Sequence, residues 1–146
     1  MADPARILGV GLDHEFKDPH LLSQALTHRS YTNEQPDAPD NEALAFLGDA
    51  VLGLVVAENV WKAVPGGGVG ILTPRRAEIV SGANLARWAE SLELGAHLRL
   101  GKGEQLTGGR SKESLLATAL EALVAVVYLE GGLPAASHAI ARLAMW

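Results

Sequence analysis

Between Ala43 and Ala57 only Gly48, Asp49 and Gly53 interrupt an apolar run, and Asp49 places a carboxylate where a core residue would be expected. A helix that is apolar nearly all round has to be covered on most of its faces. The stretch therefore predicts a central buried helix of a packed all-α domain rather than an amphipathic surface helix. The run is too short for a membrane span and it is charged, so no membrane contact is expected. A carboxylate in such a helix needs a cation, a hydrogen-bond donor or a retained proton.

A matching run lies near the other end of the chain. From Leu115 to Leu129 only Thr118 and Glu121 break the apolar sequence. If the two helices pack side by side, Asp49 and Glu121 approach each other, and two like charges in a dry site require a divalent cation or a shared proton. Alternatively, each acid is satisfied separately by a backbone donor, an arginine or water.

The remaining helices are marked by their ends. Asp3-Pro4 and Asp18-Pro19 each set a capping acid before a proline at the first helical position, predicting short helices from Pro4 to Val10 and from Pro19 to Thr27. Tyr31 to Asp40 reads as a polar loop. Asp40 is the expected cap of the central helix, which should end near Ala63, before Pro65-Gly66-Gly67-Gly68. Thr73-Pro74 is the expected start of the next helix and Gly95 its stop. A glycine-rich connection follows, then Ser111 as cap of the second central helix, Gly131-Gly132 as its end, and a short helix from Pro134 to Ala144. No segment alternates as a sheet strand does, and no repeat is present, which leaves an all-α class.

A chain of 146 residues, 48% of them hydrophobic, is enough for one domain spanning 1–146 with a real core. It has no cysteine, which excludes disulfides and thiolate metal sites and fits a reducing, cytoplasmic setting. The N-terminus shows no export pattern. The net charge of −5 argues against general nucleic-acid stickiness, but the charge is uneven: residues 1–74 carry four basic and ten acidic side chains, whereas residues 75–112 carry seven basic and four acidic. That middle segment is either a phosphate-facing surface or a solvated face of mixed charge.

Three ordered motifs resemble one family. Asn41-Glu42-Ala43-Leu44-Ala45-Phe46-Leu47-Gly48-Asp49 resembles the Asn-Glu-Arg-Leu-Glu-Phe-Leu-Gly-Asp signature of the ribonuclease III nuclease domain. Ala25-Leu26-Thr27-His28-Arg29-Ser30 looks like its Ala-Leu-Thr-His-Arg-Ser segment, and Lys112-Glu113-Ser114-Leu115-Leu116-Ala117-Thr118-Ala119-Leu120-Glu121 looks like its second acidic motif.

The resemblance implies a helical nuclease fold, double-stranded RNA as partner, and Mg²⁺ or Mn²⁺ held by four acids, two from each central helix. This chain supplies Asp49 and Glu121 as metal and catalytic ligands but has Ala45 and Thr118 at the other two places. Glu42 keeps the family's outer acid, and Val69 replaces a further glutamate. Positions 45 and 49, and 118 and 121, each share a helical face, so a four-acid cluster would converge from two helices. With two acids lost, the expectation is an endoribonuclease of impaired or abolished hydrolysis, with an active enzyme or a structural ribonucleoprotein or protein-interaction module as alternatives.

The resemblance further implies a homodimer in which Phe46 inserts into the partner. Arg75, Arg76, Lys102, Arg110 and Lys112 are the expected RNA contacts. His28 is either drawn to the active region or a hydrogen-bonded structural residue. Family members commonly continue into a double-stranded-RNA-binding domain, and none is expected within these 146 residues.

Overall fold

The computed structural model describes residues 3–146. Eight α-helices run in order among those residues: α1 Pro4–Leu12, α2 Pro19–Ala25, α3 Arg29–Glu34, α4 Glu42–Ala63, α5 Val69–Ile79, α6 Gly82–Ser91, α7 Lys102–Leu106 and α8 Glu113–Ala144. The described residues contain no strand, only a parallel bridge between Thr27 and Arg99. The all-α expectation holds.

The two central helices pack on each other along most of their length, and α1, α2 and α6 cover the remaining sides of α8. Leu52, Val56, Leu120, Leu123, Val126 and Val127 are fully buried in this seam. Glu130 ties α8 to the α1–α2 connection, accepting from His14 Nε2 at 2.8 Å and from the Asp18 N–H at 2.8 Å. By length and apolar content α4, at 22 residues, and α8 are both long enough to cross a membrane, a property that buried core helices share. Packing against α8 is what gives α4 its core face.

The Asp-Pro starts are as expected: Asp3 accepts from the Ala5 N–H and Asp18 from those of His20 and Leu21. Several boundaries differ. Arg29–Glu34 is a helix capped by His28, so the polar stretch after Tyr31 is partly helical. The cap position of α4 is Asn41, although Asp40 Oδ1 still accepts from the Glu42 N–H at 3.0 Å. Asn41 is buried, donating Nδ2 to the Ala25 carbonyl while its own N–H bonds Thr27 O.

Two further corrections have identifiable causes. Helix α5 begins at Val69, with Pro74 inside it rather than at its start. It ends at Ile79 because Ser81 Oγ accepts from the Asn84 N–H while Asn84 Nδ2 donates to Ile79 O, and these two bonds start α6 separately. Ser111 does not cap α8; its hydroxyl bonds back to Gly108 O, and the cap position falls on Lys112 with no side-chain bond. The expected break at Gly131-Gly132, by contrast, is present: Gly132 is non-helical with φ 72°, a left-handed value that glycine adopts at little cost, so α8 is two helical segments joined at a kink.

Candidate active site

The site begins with a missing side chain. A Cβ added at Gly48 would lie 1.7 Å from the Glu121 carbonyl oxygen, so α4 and α8 meet here backbone to backbone. That contact sets Asp49, the next residue of α4, beside the Glu121 side chain of α8. The two carboxyls interact: the Glu121 carboxyl is pushed up to about 8, first by burial and then by the hydrogen bond and negative charge of Asp49. Of the two outcomes open in the sequence, the structure has the acids together.

Their surroundings correct one expectation. Asp49 is not buried: it is exposed at the edge of the α4–α8 seam, and only Glu121 is half-covered. The apolar run around Asp49 reflects an uncovered face as much as a core face.

The other two places offer no charge. Ala45, one turn before Asp49, is 9% exposed and contributes only a methyl group. Thr118, one turn before Glu121, donates its hydroxyl to Ser114 O at 2.9 Å. Glu42 is exposed at the start of α4 and pairs with Arg29 at 3.7 Å. Among the described residues no three Asp, Glu or His side chains converge on one point. The residues present therefore fit a divalent ion in a reduced form, with Asp49 and Glu121 as two oxygen ligands and water in the remaining positions.

Beside this pair, α3, α4, α7 and α8 enclose a polar cleft of about 580 Å³. His28, Ser30, Glu42, Glu104, Lys112 and Thr118 line it. His28 caps α3, with Nδ1 accepting from the Ser30 N–H at 3.1 Å, and burial draws its pKa down, so the ring is neutral near pH 7. The structural role expected for His28 and its place at the cleft therefore coexist. Glu104, which sequence reasoning missed, holds the Lys112 ammonium, and Thr107 Oγ1 bonds both. The Lys112 bond holds Glu104 below the usual carboxylate range. No periodicity relates positions 104 and 112, because a loop and a 3-10 turn separate them.

The five expected RNA contacts divide. Arg75 and Arg76 are exposed on α5, and Lys102 is exposed at the start of α7. Lys112 faces the cleft but is ion-paired. Arg110 is exposed and also has a structural role: its Nη1 donates to the carbonyls of Gly95 and Leu98 at 3.0 and 2.7 Å, so the guanidinium ties two loops together.

Phe46 is 82% exposed, and Leu54 and Trp61 continue the same open side of α4. Helix α5 has no buried residue at all and leaves a shallow apolar groove of about 390 Å³ between Leu54, Trp61, Val69 and Leu72.

An all-α domain with paired carboxylates at the crossing of its two longest helices defines a class that known proteins make specific. Residues 18–145 match the family model described as ribonuclease-III-like. The chain is 49% identical over 133 residues to Ribonuclease 3 of Caldanaerobacter subterraneus subsp. tengcongensis, covering 90% of this chain and 58% of that protein. It is 50% identical over 134 residues to Ribonuclease 3 of Syntrophobacter fumaroxidans, covering 90% and 55%. The nuclease domain of ribonuclease III from Campylobacter jejuni superposes with a TM-score of 0.88 at 39% identity, over 94% of this chain and 93% of that one; that structure is described as flexible in a region involved in dimer formation. The chain belongs to the ribonuclease-III-like family, and it spans somewhat over half the length of the two Ribonuclease 3 relatives.

Proposed function

We propose that this chain is a ribonuclease-III-type nuclease domain that engages double-stranded RNA as a homodimer, with phosphodiester hydrolysis lost or strongly reduced. The observation that carries the reading is the pair of uncharged side chains, Ala45 and Thr118, one helical turn from Asp49 and Glu121. Asp49 and Glu121 would hold Mg²⁺ or Mn²⁺, which when bound supplies a water deprotonated at neutral pH and positive charge beside the phosphate. Halving the fixed carboxylates lowers the site's charge from −4 to −2. Changes outside the direct ligands commonly cost about 10- to 100-fold in metal affinity or activity, so losing two direct ligands costs more.

The chain's own residues retain a binding role. Duplex RNA is read mainly through its phosphates and 2′-hydroxyls, so binding is salt-sensitive and indifferent to sequence. Arg75, Arg76, Lys102 and Lys112 supply the exposed or cleft-facing cations. Phe46, Leu54 and Trp61 form an apolar face suited to a two-fold contact between copies. A reducing, cytoplasmic setting is consistent with the absence of cysteine.

The test is cleavage of a long double-stranded RNA in Mg²⁺ and in Mn²⁺, beside a gel shift in EDTA. Binding without cleavage, together with Mg²⁺-dependent cleavage by the Ala45→Glu/Thr118→Asp double variant, is the expected outcome. Efficient cleavage by the unaltered chain would favour the active-enzyme reading. Failure to bind at low salt would favour a protein-interaction or ribonucleoprotein module.

A further inference from the structure

A second concave site lies away from the carboxylate pair, among α1, α2 and the segment following the 3-10 turn at Leu94–His97. It has a volume of about 340 Å³, within the range of small-molecule sites. Its lining is mostly apolar, with Phe16, Pro19, Leu22 and Leu26 as walls, and carries one acid, Asp3, whose carboxylate accepts from the Ala5 N–H at 3.1 Å. His97 and Arg99 complete it. None of these residues belongs to α4 or α8, so the pocket is independent of the family's acids and of the Phe46 face.

The charge of Arg99 is incompletely matched. It is half-buried, Nη1 donates to Ser23 Oγ at 2.5 Å, and the guanidinium stacks on Tyr31 at 4.3 Å. Among the described residues no carboxylate lies within ion-pair distance of it. A guanidinium presents five N–H donors in a planar fork that suits a carboxylate, and only one of them has a side-chain partner here. The site is also held in place before any ligand arrives. The Arg99 N–H donates to Leu26 O at 2.7 Å, and Arg99 O accepts from the His28 N–H at 3.0 Å, so the backbone that carries the cation is bonded to the apolar wall. Leu22 and Leu26 are themselves anchored in the core.

We propose that this pocket binds a small organic carboxylate with an aromatic or similarly compact apolar body, seated against Leu22 and Leu26 with its carboxylate on the Arg99 fork. The proposal does not depend on whether the chain binds or cuts RNA. For a probe the size of benzoate, a dissociation constant on the order of 1 mM is expected from the affinity available per ligand atom.

The experiment titrates the full chain with benzoate, with benzamide and with inorganic phosphate, following backbone amide signals. Saturable benzoate shifts at Leu22, Leu26 and Arg99 are expected, with benzamide at least tenfold weaker and phosphate leaving the leucine signals unmoved. Arg99→Gln should weaken benzoate at least tenfold. If that variant does not fold, the three ligands on the unaltered chain decide alone. Equal binding of benzoate and benzamide, equal leucine shifts with phosphate, no saturation in the millimolar range, or full retention of benzoate binding in Arg99→Gln would each overturn the proposal.

Discussion

The two sides of α4 are built from similar residue types and behave differently. On the inner side Gly48 touches the backbone of Glu121, and Leu52 and Val56 are sealed against α8. On the outer side Phe46, Leu54 and Trp61 stand in solvent, and Gly53 has nothing within 4 Å of where its Cβ would be. Asp49 sits at the boundary, exposed itself yet beside the half-covered Glu121. A continuous apolar run thus covers two different demands, a core seam and an open face that suits a second copy.

The sharpest way to break this comparison is to add one methyl group on each side. Gly48→Ala forces α4 and α8 apart and should cost about 3 kcal/mol or more in denaturant unfolding. Gly53→Ala should be neutral or stabilise the monomer by up to about 1 kcal/mol, as helix propensity predicts. Similar losses at both positions would mean that the outer face is also packed in solution.

Next in size is the contact of the outer face. Phe46→Asp should weaken self-association by about 30-fold or more in sedimentation, the effect of losing an interface anchor, while leaving monomer stability nearly unchanged. An unchanged association constant would remove Phe46 from the interface.

The loop tie made by Arg110 gives a third contrast. Arg110→Ala should cost about 1–3 kcal/mol by leaving the Gly95 and Leu98 carbonyls short of a donor, whereas Arg76→Ala, on exposed α5, should change stability by less than about 0.5 kcal/mol. In RNA gel shifts the order should reverse, with Arg76→Ala weakening binding more.

The smallest expected effect is at the boundary. Because the folded Glu121 carboxyl titrates at about 8 against 4.5 when unfolded, the folded state holds the extra proton between those values. Stability is then fully present below about pH 4.5 and declines as pH rises toward 8. Glu121→Gln should remove that decline and raise Tm at pH 8 by roughly 2–4 °C, because solvent screening of the half-exposed carboxyl leaves only a part of the full shift as stability. Asp49→Asn should shift the decline to lower pH, because it takes away the neighbouring charge. A flat profile in the unaltered chain would show Glu121 to be neither covered nor beside Asp49, and an unchanged profile in Asp49→Asn would show the two carboxyls to be apart.

Much of this architecture was readable in the residue order. The Asp-Pro pairs act through local hydrogen bonds and a fixed proline φ, so α1 and α2 start where the sequence places them. The motifs holding Asp49 and Glu121 were likewise identifiable, as were the uncharged residues at 45 and 118. The start of α5 was misplaced because a proline permits several positions within a first turn or two, and helical bonds from Gly68 onward settled the choice. The loop tie made by Arg110 was not legible, because net charge does not reveal which carbonyls fold back onto a guanidinium. Glu104 went unnoticed because its partner lies across a loop.

The sequence by itself determined the helical class, the family and the uncharged residues at positions 45 and 118, since these depend on residue identity and on spacing along one helix. Only the tertiary structure decided that Asp49 and Glu121 meet, that the outer face of α4 stays open, and that Arg99 lines a mostly apolar pocket. Each of these depends on how separate helices approach. A helix specifies its own faces through 3.6 residues per turn, but what covers a face is decided by close packing against residues distant in the chain.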